Sequence, residues 1–224
     1  MNLFSPLSLQ EFNSQYLGQK PFAAAGTGAS FRKMLSWELL AELFSSSYAD
    51  CWLVNQGRLN PQHYKENFRL NFAEAVNGFI AGHTVLVRHS ERAHRDLGVI
   101  ASDFYKVFQV PIDIQLYATP QGQEGFDWHY DCEDVFVIQS SGQKEFTLRK
   151  NTDLVLSHRH CLPQSLEDFQ KRSAGPEIKC LLAAGDFLYI PRGYWHKARA
   201  ITDSFHFSVG LFYQDHLFGA KLHC

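Results

Sequence analysis

His129 and Asp131 stand two residues apart in the stretch FDWHYDCEDVFVIQ, Phe126 to Gln139. On an extended strand, residues two apart send their side chains off the same face. One imidazole and one carboxylate, joined by a second imidazole from elsewhere, make a 2-His-1-carboxylate triad that suits Fe(II) and leaves metal positions open. His196, closing the run IPRGYWH from Ile190, is the candidate for the third ligand. A His-x-Asp pair alone says little in a chain with 11 His and 23 Asp plus Glu. Its surroundings add weight: β-rich flanks, a turn at Gly185-Asp186 and the Pro191-Arg-Gly193 corner just before His196. The same three ligands also serve catalytic zinc, so a metal hydrolase stays open at this point.

Lys144 shares one side of its predicted strand with Phe146 and Leu148, which would point its ammonium into the protein. A buried lysine needs an anion. In the last strand Ser204, His206 and Ser208 alternate with Phe205, Phe207, Val209 and Leu211. Gln115 and Tyr117 alternate in the same way with Ile114 and Leu116. A polar face can simply be solvated. In a small barrel the same face lines a ligand cavity, and the metal argument favours that reading. His206 then stands behind the ligands. Glu133 falls on the metal face, while Cys132 and Asp134 point away, Asp134 as a hydrogen-bonding brace. His158, His160 and Cys161 form a weaker candidate for a soft metal, without a second cluster. Arg192 reads as a solvated turn residue. No Gly-x-Ser-x-Gly elbow is present to support a serine hydrolase.

The elements that must hold these residues divide the chain in two. Ser8 and Glu11 form a capping box that opens a helix through Leu17. Trp37, Leu40, Ala41 and Phe44 make an apolar helical face after Ser36. Asn60-Pro61 starts a helix that reaches Gly82, Thr84–Arg88 reads as a strand, and Arg92–Phe108 as another helix. From Pro111 the pattern turns to β. Strands are predicted at Asp113–Thr119, Trp128–Ser140, Lys144–Arg149, Ile178–Leu182, Phe187–Ile190, Tyr194–Ala200 and Ser204–Tyr213. Many short strands with Gly and Asp turns suggest a sandwich or barrel. The pattern lapses between Asn151 and Glu177, where Pro163, Ser165 and Asp168 suggest a short capped helix in a lid-like insertion.

Composition narrows the class. The chain has 224 residues, 45% hydrophobic and 14% aromatic, which fits a globular protein with a real core. A formal net charge of −2 and no basic run give no support for a nucleic-acid partner. Five cysteines without Cys-x-x-Cys spacing suggest free thiols in a reducing, cytoplasmic setting. No apolar run reaches membrane-spanning length and no signal peptide is evident, so no membrane is expected. Nothing in the sequence sets the oligomeric state.

The runs GFDWHYDCEDVFVIQSSGQKEF, LLAAGDFLYIPRGYWHKA and SFHFSVG resemble the JmjC/cupin-type 2-oxoglutarate and Fe(II) oxygenases. Within them the likeness is to the ribosomal-oxygenase branch of protein hydroxylases, over about Gly82 to Gly210. The resemblance implies an α+β, mainly β protein with a double-stranded β-helix (cupin, jelly-roll) core. One catalytic domain would fill 1–224, with 1–110 as mainly helical support and 111–213 as the core, interrupted by the insertion 151–177. It implies Fe(II) held by His129, Asp131 and His196, with 2-oxoglutarate and O2 as co-reactants. Lys144 would bind the distal carboxylate of 2-oxoglutarate, with Tyr117 and Ser208 beside it. Gln115 stands where those enzymes place Asn, and Ser208 where they commonly have Thr. The activity implied is a dioxygenase that hydroxylates a C–H bond. The alternative is a non-catalytic cupin module that binds a metal or small ligand. The ribosomal oxygenases carry further helical domains after the core, whereas here only Lys197 to Cys224 follow His196. The expectation is therefore a compact enzyme acting on a peptide or protein side chain or a small metabolite.

Overall fold

The computed structural model describes residues 3–55, 58–59, 69–152 and 162–213. The capping box predicted at the start is present: the Ser8 side chain accepts from the Glu11 backbone N–H, and Glu11 reaches back to Ser8 N at 2.8 Å. It opens helix α1 (Leu9–Gln15), followed by strand β1 (Phe22–Ala24) and helix α2 (Trp37–Ser45). In α2 the buried face is Leu39, Leu40, Leu43 and Phe44. The predicted stripe is rotated: the leucines take the core and Trp37 packs edge-on against Phe79 at 5.0 Å. Next come β2 (Asp50–Asn55), β3 (Arg58–Leu59), α3 (Phe72–Ile80), β4 (Thr84–Arg88) and α4 (Arg95–Phe108). The α4 residues Leu97, Ile100, Ala101 and Phe104 are all buried, at the helical spacing the sequence sets. The helix start expected at Asn60-Pro61 lies outside the described residues, as do His158, His160 and Cys161.

The rest is β5 (Ile112–Thr119), β6 (Asp134–Ser141), β7 (Gln143–Asn151), α5 (Leu166–Lys171), β8 (Ser173–Ala183), β9 (Phe187–Ile190), β10 (Trp195–Ala200) and β11 (Ser204–Leu211). Among the described residues they form an eight-stranded sheet, β1-β9-β6-β11-β5-β4-β2-β3, and a three-stranded sheet, β10-β7-β8. The pairings are antiparallel, as in a jelly roll. The first 110 residues are thus less purely helical than expected, because β1 to β4 extend the larger sheet at both ends. No described helix is long and apolar enough to cross a membrane.

Alternation sorts side chains between two interiors. Phe136, Ile138, Ile114, Leu116, Phe207 and Val209 face the helices and join the main apolar core. On the other face of β6 and β9, Val135, Val137, Leu188 and Ile190 meet Phe146, Leu148 and Leu182 of the smaller sheet. Strand β6 is buried on both faces. The turn into β7 needs Gly142, with φ +70° and space for no side chain: a Cβ there would lie 1.9 Å from the Asp203 carbonyl oxygen.

Two predicted boundaries change. The strand expected from Trp128 starts only at Asp134. Before it the chain crosses from the smaller sheet to the larger and cannot keep pairing with one neighbour. His129 makes an isolated bridge to His196, and β6 then joins the other sheet. The insertion is also shorter than 151–177. β8 begins at Ser173, where Asn151 pairs with Ser173 and Lys150 with Ala174 beyond an irregularity in register. Helix α5, capped by Ser165, lies inside it as predicted.

Candidate active site

His129 and His196 are joined backbone to backbone: His129 N–H donates to the His196 carbonyl at 3.1 Å and His196 N–H to that of His129 at 2.7 Å. Their rings lie 4.1 Å apart. Asp131 follows on the same segment, its carbonyl oxygen taking the Gly193 N–H at 2.8 Å. Gly193, at φ +79°, makes the corner that delivers His196. Asp134 braces this corner from behind, its Oδ1 accepting from Tyr189 Oη at 2.7 Å and Arg192 N at 2.9 Å. His129, Asp131 and His196 each offer a ligand atom, all within 4.8 Å of one another.

The histidine tautomers follow from the partners. His129 Nδ1 lies 2.7 Å from the Asp127 carbonyl oxygen, and His196 Nδ1 lies 3.0 Å from that of Tyr194. A carbonyl can only accept, so both Nδ1 atoms carry hydrogen and both Nε2 lone pairs remain for a cation. Burial, then the neighbouring His129, pulls His196 down to about 4, against the opposing pull of Asp131, so its imidazole is neutral at pH 7. Two imidazole Nε2 atoms and a carboxylate suit a divalent metal.

The seven residues singled out from the sequence, Gln115, Tyr117, His129, Asp131, Lys144, His196 and Ser208, all line one cavity of about 80 Å³. The polar faces of β5 and β11 therefore point inward. Their register orders the wall as a ladder: Thr119 beside Ser204, Tyr117 beside His206, Gln115 beside Ser208, Asp113 beside Gly210. Lys144 stands at the Thr119 end, donating to Thr119 Oγ1 at 2.8 Å. It is only 2% exposed and makes no ion pair among the described residues. Burial pulls its ammonium down to about 7. His206 stacks on Tyr117 at 4.6 Å, and its buried Nδ1 has no hydrogen-bond partner among the described residues. A buried cation beside an orphaned polar nitrogen fits an anionic ligand.

Glu133 marks the other end, next to Gly210, and lines the cavity as its position predicted. Burial, then the charge of Asp131, pushes it up to about 8. Cys132 points away, buried with Tyr130, Phe169 and Trp195. Thr119 was not singled out, although a threonine facing the predicted lysine could have been found from the strand alternation. Also missed is a second donor group, His89, Glu91 and Asp113, again within 4.8 Å of one another. Only Asp113, a charge in an apolar alternating strand, signals it. Its oxygens are already engaged: Asp113 takes His89 and Gln115, and Glu91 takes Ile114 N and Arg92. It reads as a closed hydrogen-bonded network, not a metal site.

The cavity between two antiparallel sheets and the triad on its wall are those of a cupin-type metalloprotein. The JmjC domain model matches residues 96–217, more than half of the chain, and the chain belongs to that family. It is 30% identical over 94% of its length to the bifunctional lysine-specific demethylase and histidyl-hydroxylase NO66 of Dictyostelium discoideum, covering 42% of that protein. It is 25% identical over 99% of its length to ribosomal oxygenase 2 of Rattus norvegicus, covering 48% of it. Among solved structures, YcfD, a ribosomal oxygenase from Escherichia coli in complex with cobalt and 2-oxoglutarate, superposes with a TM-score of 0.64 at 20% identity, over 93% of this chain and 52% of that one. The chain thus spans about half or less of the length of these proteins.

Proposed function

We propose that this protein is an Fe(II)- and 2-oxoglutarate-dependent oxygenase that hydroxylates a C–H bond. The observation that carries it is one cavity with a His129, Asp131 and His196 triad on its wall and, at one end, the buried Lys144, which has no ion-pair partner among the described residues. Ferrous iron, when bound, activates O2 and couples oxidative decarboxylation of 2-oxoglutarate to insertion of oxygen into the substrate. The triad would hold the ion through two Nε2 atoms and a carboxylate oxygen, with Asp127 and Tyr194 carbonyls fixing the rings. Lys144 would pair with the distal carboxylate of the oxo acid, in a site dry enough to make that charge-assisted bond strong. Ser208 would donate a hydrogen bond along the wall, which Tyr117 and Gln115 also line, the Tyr117 hydroxyl donating to Gln115 Oε1 at 2.8 Å. The apolar lining, Val135, Val137, Phe146 and Ile190, excludes water from the reacting atoms.

The substrate in this reading is a side chain of a peptide or protein, or a small metabolite, presented at the cavity. The names of the relatives, a histidyl-hydroxylase and a ribosomal oxygenase, favour a protein side chain. A cytoplasmic location belongs to the same reading, supported by the free thiols of Cys51 and Cys180. The test is to load purified protein with Fe(II), add 2-oxoglutarate and cell extract, and measure succinate and peptides or metabolites that gain one oxygen atom. Iron-dependent succinate with an oxidised peptide is expected. Metal binding without succinate or any oxidised product would favour the ligand-binding module instead.

A further inference from the structure

The second donor group is joined to the cavity by an unbroken row of hydrogen bonds. His89 follows β4 with φ +55°, which turns both its backbone N–H and its ring Nδ1 onto Asp113 Oδ1, at 3.2 and 2.8 Å. Asp113 Oδ2 accepts from Gln115 Nε2 at 2.9 Å. Gln115 Oε1 accepts from the Tyr117 hydroxyl at 2.8 Å. Asp113, Gln115 and Tyr117 are two apart on β5 and share its inner face, so the strand period builds the row. One end is wet, the His89 side chain being 34% exposed. The other end is dry: Tyr117 stacks on His206, and the Lys144 ammonium lies 5.8 Å from its ring.

The row has a direction. An ionised carboxylate only accepts, so Asp113 fixes which end of the Gln115 amide faces it. Nε2 must point at Asp113, which leaves Oε1 for Tyr117. The hydroxyl hydrogen of Tyr117 is then committed to Gln115, and its oxygen shows the cavity lone pairs. We propose that His89 and Asp113 are positioning residues for this cavity, setting the orientation of Gln115 and Tyr117 so that the wall offers acceptors to an N–H- or O–H-bearing group. That the cavity receives a substrate rests on the oxygenase reading. The direction of the row does not.

The charges around the row are consistent with it. Asp113 faces His89 and feels Arg88, and although burial opposes ionisation, the bonds from His89 and Gln115 hold its carboxyl below the ordinary range. The Asp113 bond raises His89, against burial and the nearby Arg88 and Arg92, while Glu91 is tied to Arg92 and Ile114 N. Asp131 and Glu133 also face the row, Glu133 beside Gly210 near the Asp113 end.

The sharpest test is Asp113→Asn. The His89 backbone N–H is an obligate donor, so the new side chain must keep its carbonyl there and turn its NH2 toward Gln115. The Gln115 amide must then invert, and Tyr117 becomes free to donate into the cavity. Nuclear magnetic resonance on metal-free protein reads this directly, with the Gln115 NH2 signal identified by its loss in Gln115→Met. In the wild type, the His89 midpoint should lie above about 6.5, and the Gln115 signal should step at the same pH. In Asp113→Asn that step should vanish, the midpoint should fall to or below about 6.5, and the amide hydrogens should gain contacts with the Tyr117 ring. His89→Ala, at the exposed end, should also abolish the step. A wild-type Gln115 signal indifferent to His89, or one unaltered in folded His89→Ala, would overturn the proposal. In iron-loaded protein the pH profile of succinate formation should lose its His89-dependent limb in His89→Ala. Absence of succinate from every form would count against the oxygenase and leave the resonance result standing.

Discussion

Two groups of histidine and carboxylate stand in this molecule with nearly the same composition and opposite readiness for a metal. In the His129 group both rings give their Nδ1 hydrogens to carbonyls that follow the chain locally, Asp127 and Tyr194. Their Nε2 atoms are left to face the third ligand, His196 Nε2 lying 3.4 Å from Asp131 Oδ2. In the His89 group the ring gives its hydrogen to the carboxylate itself, and the remaining carboxylate oxygens are taken by Gln115, Arg92 and Ile114 N. Residue type therefore does not make a metal centre. What decides is whether backbone carbonyls relieve the side chains of bonding to one another.

The comparison breaks most visibly with metal. Adding Fe(II), or Mn(II) as a redox-stable substitute, should raise the melting temperature of the wild type and of His89→Ala alike. Ligand at 100 times its Kd stabilises by about 2.7 kcal/mol. His196→Ala and Asp131→Ala should lose that rise, and turnover should drop on the order of 100-fold or more, beyond the loss typical of residues behind the ligands. A rise lost in His89→Ala but kept in His196→Ala would exchange the roles of the two groups.

Lys144 gives the next effect. A hydrogen bond to a charged group is worth roughly 1.5–3 kcal/mol, so Lys144→Met should raise the KM for 2-oxoglutarate roughly tenfold to a hundredfold while leaving metal-induced stabilisation in place. The same change should stabilise the protein in the absence of the oxo acid, because a buried cation without a counter-ion is costly. The sign is set by the lowered ammonium, at about 7. Its penalty is fully present below that pH and is relieved as pH rises toward the ordinary lysine value of about 10.4. Melting temperatures should show the largest gain of Lys144→Met over wild type below pH 7, shrinking across pH 7 to 10. An equal gain at every pH would mean that the ammonium is not the source.

Asp134→Ala should be the mildest in chemistry and still measurable in stability. It removes the shared acceptor of Tyr189 Oη and Arg192 N, in a place only 1% exposed. The expected cost is about 1–3 kcal/mol, read as a lower denaturant midpoint. Metal binding that weakens in proportion would show that the corner needs the Asp134 brace as well as the Asp131 carbonyl on Gly193 N–H.

Much of this was legible in the sequence because two periodicities were strong. The inward polar row of β11, His206 and Ser208, and the buried α4 stripe both follow from spacing alone. His-x-Asp and the Pro-Arg-Gly corner point to the three residues that lie together, but the pair sits on a crossing segment with one bridge, not on a long strand. Composition could not supply the partners that make His89 and Asp113 a unit. His89 and Asp113 are 24 residues apart, with α4 between them, and only the β4–β5 pairing brings them together. Long-range register is a tertiary fact that local pattern does not carry.

Strand β6 divides the two interiors and belongs to both. Phe136 and Ile138 are packed in the helical core, while Val135 and Val137, their immediate neighbours, wall the cavity. A change of shape on one side of so thin a partition is transmitted to the other through a backbone paired on both edges by β9 and β11. An attempt to recut the chamber for a new guest through Val135 or Val137 would disturb the packing that keeps the chain folded, and hydrophobic repacking beneath the helices would move the chamber. The ladder of β5 and β11 offers more freedom. There the cavity-facing positions are polar, so selectivity can drift at Ser208, outside the Asp113, Gln115 and Tyr117 row, while the apolar residues behind it stay unchanged.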